Sequence, residues 1–323
     1  MIRIGFIGCG YMAKMHATVA LAQGHKISAV LATKKSSKLD YFVKNFHVPQ
    51  IYTNIKLFLE DIMNKKCDID AIVVCVPWNV TEIIIDDILS TQLAVLVEKP
   101  VSLSERSLKQ LLKNSNSKNM LVGYNRKYYD YMPEVVNLLK NDSPYFVEVL
   151  SAEPFDSIVK ENGKKIIPYL PHFYTSHILN ILVYTLGTLL PLESYKLKEQ
   201  SGQSTFALLS SVKDNVPVSL KIFMNSPQNS YIKYFFTNNV ILLSPLEKMI
   251  IYDRIDQIFL EGKRMYIPNE QTKIDTCTDY KAGIFKQMQH FIGSYVHKNE
   301  PQFQTQEELI CVTQICDWIS NNS

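Results

Sequence analysis

The first third of the chain alternates short apolar runs with segments in which apolar residues recur every three or four positions. Continuous apolar runs are typical of buried parallel strands, and the segments between them, such as 53–64 and 80–91, have the helical period. Ser102 followed by Glu105 predicts a capping box at the start of a later helix. This alternation predicts an α/β domain with its sheet covered on both faces. The predicted strands are 2–7, 27–32, 71–76, 94–97 and 120–122.

From residue 123 the apolar runs are longer and follow one another with few helical segments between them. Turn pairs such as Asp214-Asn215 and Asn238-Asn239 favour hairpins, so we predict an antiparallel or mixed sheet. The predicted strands are 145–152, 204–212, 216–224, 231–236, 241–243, 249–252 and 257–260.

Helical patterns in this second part cover 171–186, 279–298 and 305–320, and Gly187 follows the first of them as a possible left-handed C-terminal residue. We therefore divide the chain into a domain of residues 1–122 and a second domain of residues 123–323. A total of 323 residues suffices for two domains, each with its own core.

Composition narrows the class of protein. Hydrophobic residues make up 46% and charged residues 20%, which is typical of globular proteins. The formal charge is +3 without a long run of like charges, so we expect no nucleic-acid partner. We expect no membrane association and a cytoplasmic location, because the sequence has neither a long apolar stretch nor a signal-peptide pattern. The six cysteines and the histidines show no ligand spacing, which predicts buried thiols and no metal.

A glycine-rich turn directly follows the first predicted strand and opens a helix. Gly8 permits a tight turn, Gly10 lets the backbone approach a pyrophosphate, and the small Ala13 lets helix and strand pack closely. The helix N-terminus, with Tyr11 and Met12, would then face the anion. We predict a dinucleotide site here. The alternative is a tight strand-to-helix turn without a ligand.

The end of the second predicted strand bears on which nicotinamide cofactor binds. Enzymes that use NAD usually place an acidic residue there to hold the ribose 2′-hydroxyl. This chain has Thr33, Lys34 and Lys35 instead, which suit a 2′-phosphate, so NADP is favoured over NAD. The alternative is that the lysines form only a solvated turn.

Lys99 follows the apolar strand 94–97 within the tripeptide Glu98-Lys99-Pro100. Ligands of open α/β sheets bind at such strand ends, so Lys99 is placed to act on a substrate beside the nicotinamide. Oxidation of an alcohol by hydride transfer needs a base for the hydroxyl proton, and a lysine with a lowered pKa serves as one. The alternative is a structural or surface lysine.

Four motifs together resemble the Gfo/Idh/MocA family, the oxidoreductases similar to glucose-fructose oxidoreductase and inositol dehydrogenase. The resemblance covers nearly the whole chain and implies an N-terminal Rossmann domain followed by an α/β domain with an open, largely antiparallel sheet. It also implies a homodimer or homotetramer, because that sheet often forms the interface in the family. The motifs are Gly8-x-Gly10-x-x-Ala13-x-x-His16, the strand 70–77 with Asn79, Glu98-Lys99-Pro100, and 122–128.

The resemblance assigns catalysis to Lys99 and to a histidine in an Asp-x-x-x-His-x-x-Asp pattern on a helix of the second domain. Here His177 is retained, whereas Phe173 and Asn180 stand in the two acidic positions. This departure removes both carboxylates of the family's proton relay, and His172 is a candidate for a compensating role. A helical histidine on an apolar stretch is otherwise usually a core residue.

The remaining expected site residues surround these groups. Residues 124–126 are expected near the cofactor and substrate or, alternatively, as a brace at the domain junction; His172 and Tyr174 are expected to meet substrate or to pack at a helix entry. The expected cofactor-binding residues are Gly8, Gly10, Tyr11, Met12, Ala13, Thr33, Lys34, Pro77, Asn79, Glu98, Lys99 and Tyr124. The expected substrate-binding residues are Lys99, Asn125, Arg126, His172, Tyr174 and His177.

The function predicted from these residues and the resemblance is hydride transfer between NADP or NAD and a small-molecule substrate. The substrate would be a secondary alcohol or ketone of a sugar, polyol or nucleotide sugar, with Lys99 as acid or base. Two alternatives stay open. One is a family member that binds the cofactor without turnover, and the other is a reductase that acts on an imine or a double bond.

Overall fold

The computed structural model describes residues 1–34, 36–197 and 204–322. They form two compact units, each built from two separate stretches of chain. The first unit contains Met1–Tyr128 and Thr278–Gln306. The second unit contains Tyr129–Cys277 and the described residues from Glu307 onward.

A parallel six-stranded sheet forms the centre of the first unit, as the apolar runs predict. The strand order is β3-β2-β1-β4-β5-β6. The short edge strand β3 was not predicted, because its exposed Ile51 breaks the pattern of a buried apolar run. The strands are β1 (Arg3–Ile7), β2 (Lys26–Leu31), β3 (Gln50–Tyr52), β4 (Ala71–Val74), β5 (Ala94–Val97) and β6 (Met120–Val122).

Helices connect these strands and continue through the second unit. In the described part of the chain, no helix combines the length and the apolar character that crossing a membrane requires. The helices are α1 (Tyr11–Ala22), α2 (Leu39–Phe46), α3 (Ile55–Met63), α4 (Trp78–Leu89), α5 (Glu105–Leu112), α6 (Met132–Asn141), α7 (Phe155–Asn162), α8 (Thr175–Leu186), α9 (Ile284–His290) and α10 (Gln306–Asn322).

The start of α5 differs from the predicted capping box. Its N-cap is Ser104, whose hydroxyl accepts a hydrogen bond from the backbone N–H of Ser107 at 3.1 Å. Ser102 lies before the helix, where its hydroxyl donates to the carboxylate of Glu82 and to the backbone oxygen of Ser104. The prediction was wrong by two residues because Ser102 and Ser104 both have a side chain that can cap a helix.

The second unit contains an eight-stranded sheet in the order β14-β13-β12-β11-β7-β10-β9-β8. Neighbouring strands are antiparallel except β7 and β10, which are parallel. A largely antiparallel sheet is what the hairpin pattern predicts, so the predicted fold class is confirmed. The strands are β7 (Phe146–Glu153), β8 (Leu189–Lys196), β9 (Thr205–Ser211), β10 (Pro217–Met224), β11 (Tyr231–Phe235), β12 (Val240–Leu243), β13 (Lys248–Leu260) and β14 (Lys263–Asp275).

The two edges of this sheet were predicted least well. The predicted strands 249–252 and 257–260 are parts of the single strand β13, which continues through a bulge between Ile251 and Arg254. Strands β8 and β14 were not predicted, since each contains a proline and exposes much of its length. Proline is accepted on edge strands, where a missing N–H interrupts no ladder.

The helix predicted over 171–186 consists of two different structures. The segment Lys164–His172 is a 3₁₀-helix that contains Pro168 and Pro171, and α8 begins only at Thr175. Proline is poorly tolerated inside an α-helix, which accounts for the later start. Gly187 follows α8 with a positive φ of 78°, which favours glycine, but its ψ of −160° is not that of the left-handed conformation that the sequence predicted.

The late segment Thr278–Gln306 belongs to the first unit, although the sequence pattern assigned it to the second domain. Its side chains Ile284, Met288 and Phe291 are fully buried and belong to the same hydrophobic cluster as Ile4 and Phe6 of β1. The pattern of a helix shows that it has an apolar face but does not show which sheet covers that face.

Candidate active site at the carboxyl edge of the parallel sheet

The ends of β1, β2, β4, β5 and β6 lie along one edge of the first sheet, because all of these strands are parallel. We call this the carboxyl edge. The chain passes from β1 to β2 and β3 on one side and returns to β4 on the other side of β1. In open α/β sheets, ligands bind outside the strand ends at such a reversal of order. A ligand is therefore expected to bind beside the residues that follow β1 and β4.

Gly8 joins β1 to the following turn in a conformation that requires glycine. Its φ is +100°, and a Cβ atom at this position would lie 2.2 Å from the backbone oxygen of Cys75. Cys75 directly follows β4, so the ends of β1 and β4 are in contact through the bare Cα of Gly8. No other residue fits without displacing one of the two strand ends.

Gly10 stands at the N-cap of α1 with open space before it. A Cβ atom built here would have no described heavy atom within 4 Å, so the space is available to a ligand. Glycine has no side chain to cap the first amides of α1, and the helix dipole favours an anion at this end. The turn therefore fits a dinucleotide pyrophosphate by its shape and its charge.

The other residues of this turn lie where the motif predicts. Tyr11 begins α1 and is 60% exposed, whereas Ala13 is fully buried and packs in the core of the first unit. An alanine at this point brings α1 close to the sheet. Met12, which lies between Tyr11 and Ala13 in the sequence, is half-buried.

The residues after β2 are open to solvent. Thr33 and Lys34 are exposed, and Lys35 lies outside the described residues. The thiol of Cys9 is 3.2 Å from the hydroxyl of Ser36, which ties the glycine turn to the stretch after β2. The two parts of the predicted cofactor site are therefore neighbours in the first unit.

Pro77 and Asn79 lie just beyond β4, at the start of α4. Pro77 is the N-cap, and both residues are exposed. The hydroxyl of Thr81 donates to the backbone oxygen of Pro77 at 3.4 Å. This contact holds the exposed turn against the first turn of α4.

Glu98 forms a contact that the sequence alone did not predict. Its Oε1 is 2.8 Å from Nε2 of His16, which is fully buried on α1. A Cβ atom at Gly123 would lie 3.2 Å from Cδ of Glu98, so the missing side chain at 123 makes room for the carboxylate. Glu98 thus links α1 to the ends of β5 and β6.

Burial, together with the Glu98 charge, raises the pKa of the Cys75 thiol.

Lys99 follows Glu98 immediately beyond β5 and is half-buried. Strand β5 pairs with β4, which in turn pairs with β1. Lys99 therefore lies on the same carboxyl edge as the glycine turn, with one strand between them. Lys99 is therefore at the strand end where the sequence predicts it.

Residues 124–126 follow β6 at the same edge. Tyr124 and Asn125 are buried, with 6% and 8% exposure, and Arg126 is half-buried. The amide nitrogen of Asn125 donates to the backbone oxygen of Ala282 at 2.8 Å. Asn125 therefore holds the late segment of the first unit in place.

The predicted site residues of the second unit gather at the start of α8. His172 and His177 are buried, and Tyr174 between them is 40% exposed. Nε2 of His172 is 3.2 Å from the Asp317 carboxylate, a partner that the sequence did not reveal because it comes from α10. The hydroxyl of Ser176 donates to the backbone oxygen of His172 at 2.8 Å.

The two positions that depart from the family pattern have different surroundings. The Phe173 side chain is half-buried. Asn180 is only 1% exposed, so it lies inside the second unit. The Asn180 amide donates to the carboxylate of Glu308 on α10, which is itself buried. Asn180 thus has a structural partner.

Comparison with known proteins agrees with this geometry. Residues 2–126 match the family model GFO_IDH_MocA, described as "Oxidoreductase family, NAD-binding Rossmann fold". The uncharacterized oxidoreductase YrbE of Bacillus subtilis is 23% identical over 155 residues, which are 46% of this chain and 44% of that protein. The match thus spans less than half the length of this curated relative.

Two solved structures share the fold over nearly the whole chain. UDP-N-acetylglucosamine 3-dehydrogenase from Acidithiobacillus ferrooxidans has a TM-score of 0.76 at 12% identity and covers 99% of this chain and 97% of its own. The apo scyllo-inositol dehydrogenase from Lactobacillus casei has a TM-score of 0.74 at 17% identity, with 100% and 96% coverage. These likenesses extend the shared fold into the second unit. Residues 2–126 are thus similar to the Gfo/Idh/MocA oxidoreductases, whose family model is described by an NAD-binding Rossmann fold.

Proposed function

We propose that the protein transfers a hydride between a nicotinamide dinucleotide and a secondary alcohol or ketone of a sugar, polyol or nucleotide sugar. One observation carries the proposal: the glycine turn and Lys99 share the carboxyl edge of one sheet, separated by a single strand. The glycine turn would hold the dinucleotide and Lys99 would transfer the proton, and both follow strands of the same rigid sheet. The substrate class is supported by the likeness to an inositol dehydrogenase and a nucleotide-sugar dehydrogenase.

The proposed cofactor is NADP in preference to NAD. The bound nicotinamide supplies the hydride chemistry. Gly8, Gly10 and the first turn of α1 would hold the pyrophosphate, and Thr33 with Lys34 would hold the 2′-phosphate. Two facts support the contact with the 2′-phosphate: the side chains of Thr33 and Lys34 are exposed, and the end of β2 has no acidic residue. Pro77, Asn79 and Tyr124 are proposed as further cofactor contacts.

Lys99 is proposed as the acid or base that exchanges the proton of the substrate oxygen. Arg126 is proposed as a further substrate-binding residue of the first unit. In the second unit, His177 is proposed as a catalytic residue, with His172 and Tyr174 as substrate-binding residues around the start of α8. Such general acid–base catalysis typically contributes about 10²- to 10⁴-fold to the rate. The Glu98–His16 contact supports the role of Lys99, because it fixes the backbone from which Lys99 projects.

The test compares Lys99→Met with the wild-type protein. Turnover is followed by nicotinamide absorbance with a panel of inositols, sugars and nucleotide sugars. We expect Lys99→Met to lose about 10³-fold in kcat while the Kd for the dinucleotide stays within a fewfold, because the side chain acts on the substrate proton. The control is Lys113→Met, an exposed lysine after α5, which should retain full activity.

The other outcomes decide between the alternatives. Near-normal turnover by Lys99→Met would reject the acid–base role and favour reduction of an imine or double bond. Tight dinucleotide binding by a wild-type protein that turns over none of the panel would favour a binding protein without catalysis. Phe173 and Asn180, which replace both acids of the family pattern, are the observation behind that second candidate.

The cofactor preference has a separate test. Exchange of Lys34 for Asp should weaken NADP binding by at least about tenfold more than NAD binding, because a carboxylate repels the 2′-phosphate and accepts from a 2′-hydroxyl. Titration of both cofactors measures the ratio of the two Kd values. An equal change for both would remove Lys34 from the 2′-phosphate site.

We also propose that the chain forms a homo-oligomer through the hairpin β13–β14. Beyond Tyr252 this hairpin continues as a two-stranded ribbon, a structure that is marginal on its own in water. The register puts Ile255, Phe259 and Tyr266 on one face, and they are 68%, 65% and 63% exposed. These side chains offer roughly 400 Å² of apolar surface, about half of the ~800 Å² that each partner of a stable complex buries.

A second copy of the chain is the occupant that this face suits, since the ribbon carries both signs of charge, such as Arg254 with Asp253 and Asp256, and a two-fold axis brings the same self-complementary surface of each copy together. Phe259→Ser with Tyr266→Ser should lower the mass measured by light scattering to that of the monomer. The control Tyr145→Ser removes another exposed tyrosine of the second unit and should leave the mass unchanged. A wild-type protein that is monomeric at micromolar concentration would contradict the proposal.

A further inference from the structure

A cation from the late part of the chain lies beside the glycine turn. The ammonium nitrogen of Lys281 is 5.2 Å from the ring centroid of Tyr11. Tyr11 is the first residue of α1, and its ring is 60% exposed. Lys281 is exposed as well. The end of α1 that favours an anion therefore has a positive charge within a few ångströms of its first residue.

The backbone that directly follows Lys281 is anchored within the first unit. The buried Asn125 donates to the backbone oxygen of Ala282, and Gln23 at the end of α1 donates to the backbone oxygen of Phe285, each at 2.8 Å. The Tyr280 and Phe285 rings stack with centroids 5.3 Å apart. Lys281 is thus an exposed side chain on a fixed backbone, so its place beside α1 does not depend on a mobile loop.

An ammonium over an exposed aromatic ring is a weak contact, and both partners here are open to solvent. A lysine on a flexible four-carbon stem can instead move from the ring to an anion, which it binds as a point charge. The nearby α1 N-terminus is the place where the proposed function puts an anion.

We propose that Lys281 binds the pyrophosphate of the dinucleotide, with Asn125 as a positioning residue that holds the segment carrying it. The inference rests on the proposed function and adds to it a binding residue from a segment about 270 residues after the glycine turn. The pyrophosphate is common to NAD and NADP. Lys281 therefore contributes to the binding of both cofactors, unlike Lys34, which would distinguish them.

The experiment measures Kd for NADH, NADPH and ADP-ribose by titration of the full-length protein. Lys281→Met keeps the length of the side chain and removes its charge. We expect Kd to rise about tenfold for all three ligands, with weaker dependence on salt, because one ion pair to the pyrophosphate is lost. Lys281→Arg should restore most of the binding. The melting temperature should stay unchanged, because the side chain is exposed.

Lys26 provides a matched control. It is an exposed lysine at the first residue of β2, at the opposite edge of the same sheet. Lys26→Met should bind all three ligands as the wild-type protein does. Asn125→Ala should weaken binding by less than Lys281→Met and should add nothing in the Lys281→Met background, since its effect passes through Lys281.

The contrary outcomes are distinct. A Lys281→Met protein that binds within twofold of the wild-type protein overturns the inference and leaves the proposed function intact. A loss confined to NADPH overturns the pyrophosphate assignment, because it places Lys281 at the 2′-phosphate. A wild-type protein that binds neither dinucleotide overturns the proposed function and this inference with it.

Discussion

His290 is a residue whose surroundings in the first unit fix its protonation state. It is 5% exposed, and its ring stacks on Phe303 with centroids 4.4 Å apart. Nδ1 is 3.1 Å from the Ser294 hydroxyl, and Nε2 accepts from the backbone N–H of Phe303 at 3.5 Å. A neutral imidazole satisfies both contacts, whereas an imidazolium would direct an N–H at another N–H. Burial and the nearby Lys127 charge lower the pKa of His290 to about 4.

This lowered pKa predicts a loss of stability in mild acid. The unfolded chain takes up the proton near pH 6.5 and the folded protein only near pH 4, so stability is present above pH 6.5 and is lost as the pH falls towards 4. We expect the free energy of unfolding to fall by about 2 to 3 kcal/mol between pH 7.5 and pH 4.5 from this group. Urea unfolding at the two pH values measures the loss. His290→Gln should remove it, and an unchanged pH dependence in this variant would contradict the assignment.

Asn180, which stands at one acidic position of the family pattern, has a carboxylate as its partner. Its amide donates to Glu308, and both side chains are buried between α8 and α10. An aspartate at this position would place a second carboxylate against Glu308 without a donor between them. Like charges at close range raise a carboxyl pKa and destabilise the fold at neutral pH.

Asn180→Asp is therefore expected to lower the free energy of unfolding at pH 7 by about 2 to 3 kcal/mol. The loss should shrink as the pH falls, because the raised pKa lets one carboxyl group take up a proton while the protein stays folded. The double variant Asn180→Asp with Glu308→Gln exchanges donor and acceptor and should recover most of the stability, as chemical unfolding can measure. A single variant as stable as the wild-type protein would show that the pair tolerates two acids.

At the scale of secondary-structure elements, the turn between β1 and α1 contains two glycines, Gly8 and Gly10, that have different roles. Gly8 needs a positive φ and contact with Cys75, whereas Gly10 has an ordinary φ of −74° and open space before it. The first glycine therefore serves the fold, and the second leaves room for a ligand.

We expect Gly8→Ala to be strongly destabilised, by more than about 3 kcal/mol, because the methyl group meets a backbone oxygen at a φ that alanine avoids. Gly10→Ala should fold with a near-normal melting temperature and lose at least about tenfold in dinucleotide affinity, since its methyl group enters the ligand space. Calorimetry and cofactor titration test both halves of the prediction. A Gly10→Ala protein that binds normally would mean that the backbone does not approach the pyrophosphate here.

At the scale of the whole molecule, the first unit is completed only when the chain returns at residue 278. Ile284, Met288 and Phe291 are fully buried in its core, and each such side chain contributes about 2 kcal/mol. The backbone N–H of Val122 on β6 also donates to Gln304 of this segment. An N-terminal fragment therefore lacks part of its own core.

We expect a fragment of residues 1–128 to be partly unfolded, with weak near-ultraviolet circular dichroism. A fusion of 278–306 to that fragment through a flexible linker should unfold cooperatively, because it restores the missing apolar layer. Phe291→Asp in the fusion serves as the control and should abolish the gain. A fragment 1–128 that already unfolds cooperatively with the same midpoint as the fusion would contradict the expectation.

Local patterns were sufficient wherever an element and its neighbours in sequence meet in space. Five of the six parallel strands, the glycine turn and the position of Lys99 at a strand end were predicted, because apolar runs and the residues at their ends report local structure directly. The hairpins β9–β10 and β11–β12 were predicted from the turn pairs between their strands. The weak points were edge strands such as β8 and β14, whose side chains are largely exposed and so carry no burial pattern.

The sequence by itself predicted most of the strands and helices, the glycine turn after β1 and the resemblance to the family whose model matches residues 2–126. The tertiary structure decided which distant segments meet: Glu98 with His16, Asn180 with Glu308, His172 with Asp317, and Lys281 with Tyr11. The physical reason is that hydrophobic periodicity records how much of an element is buried but carries no information about its partner. Contacts between residues far apart in the chain depend on which apolar faces pack together, and that is fixed only when the whole chain folds.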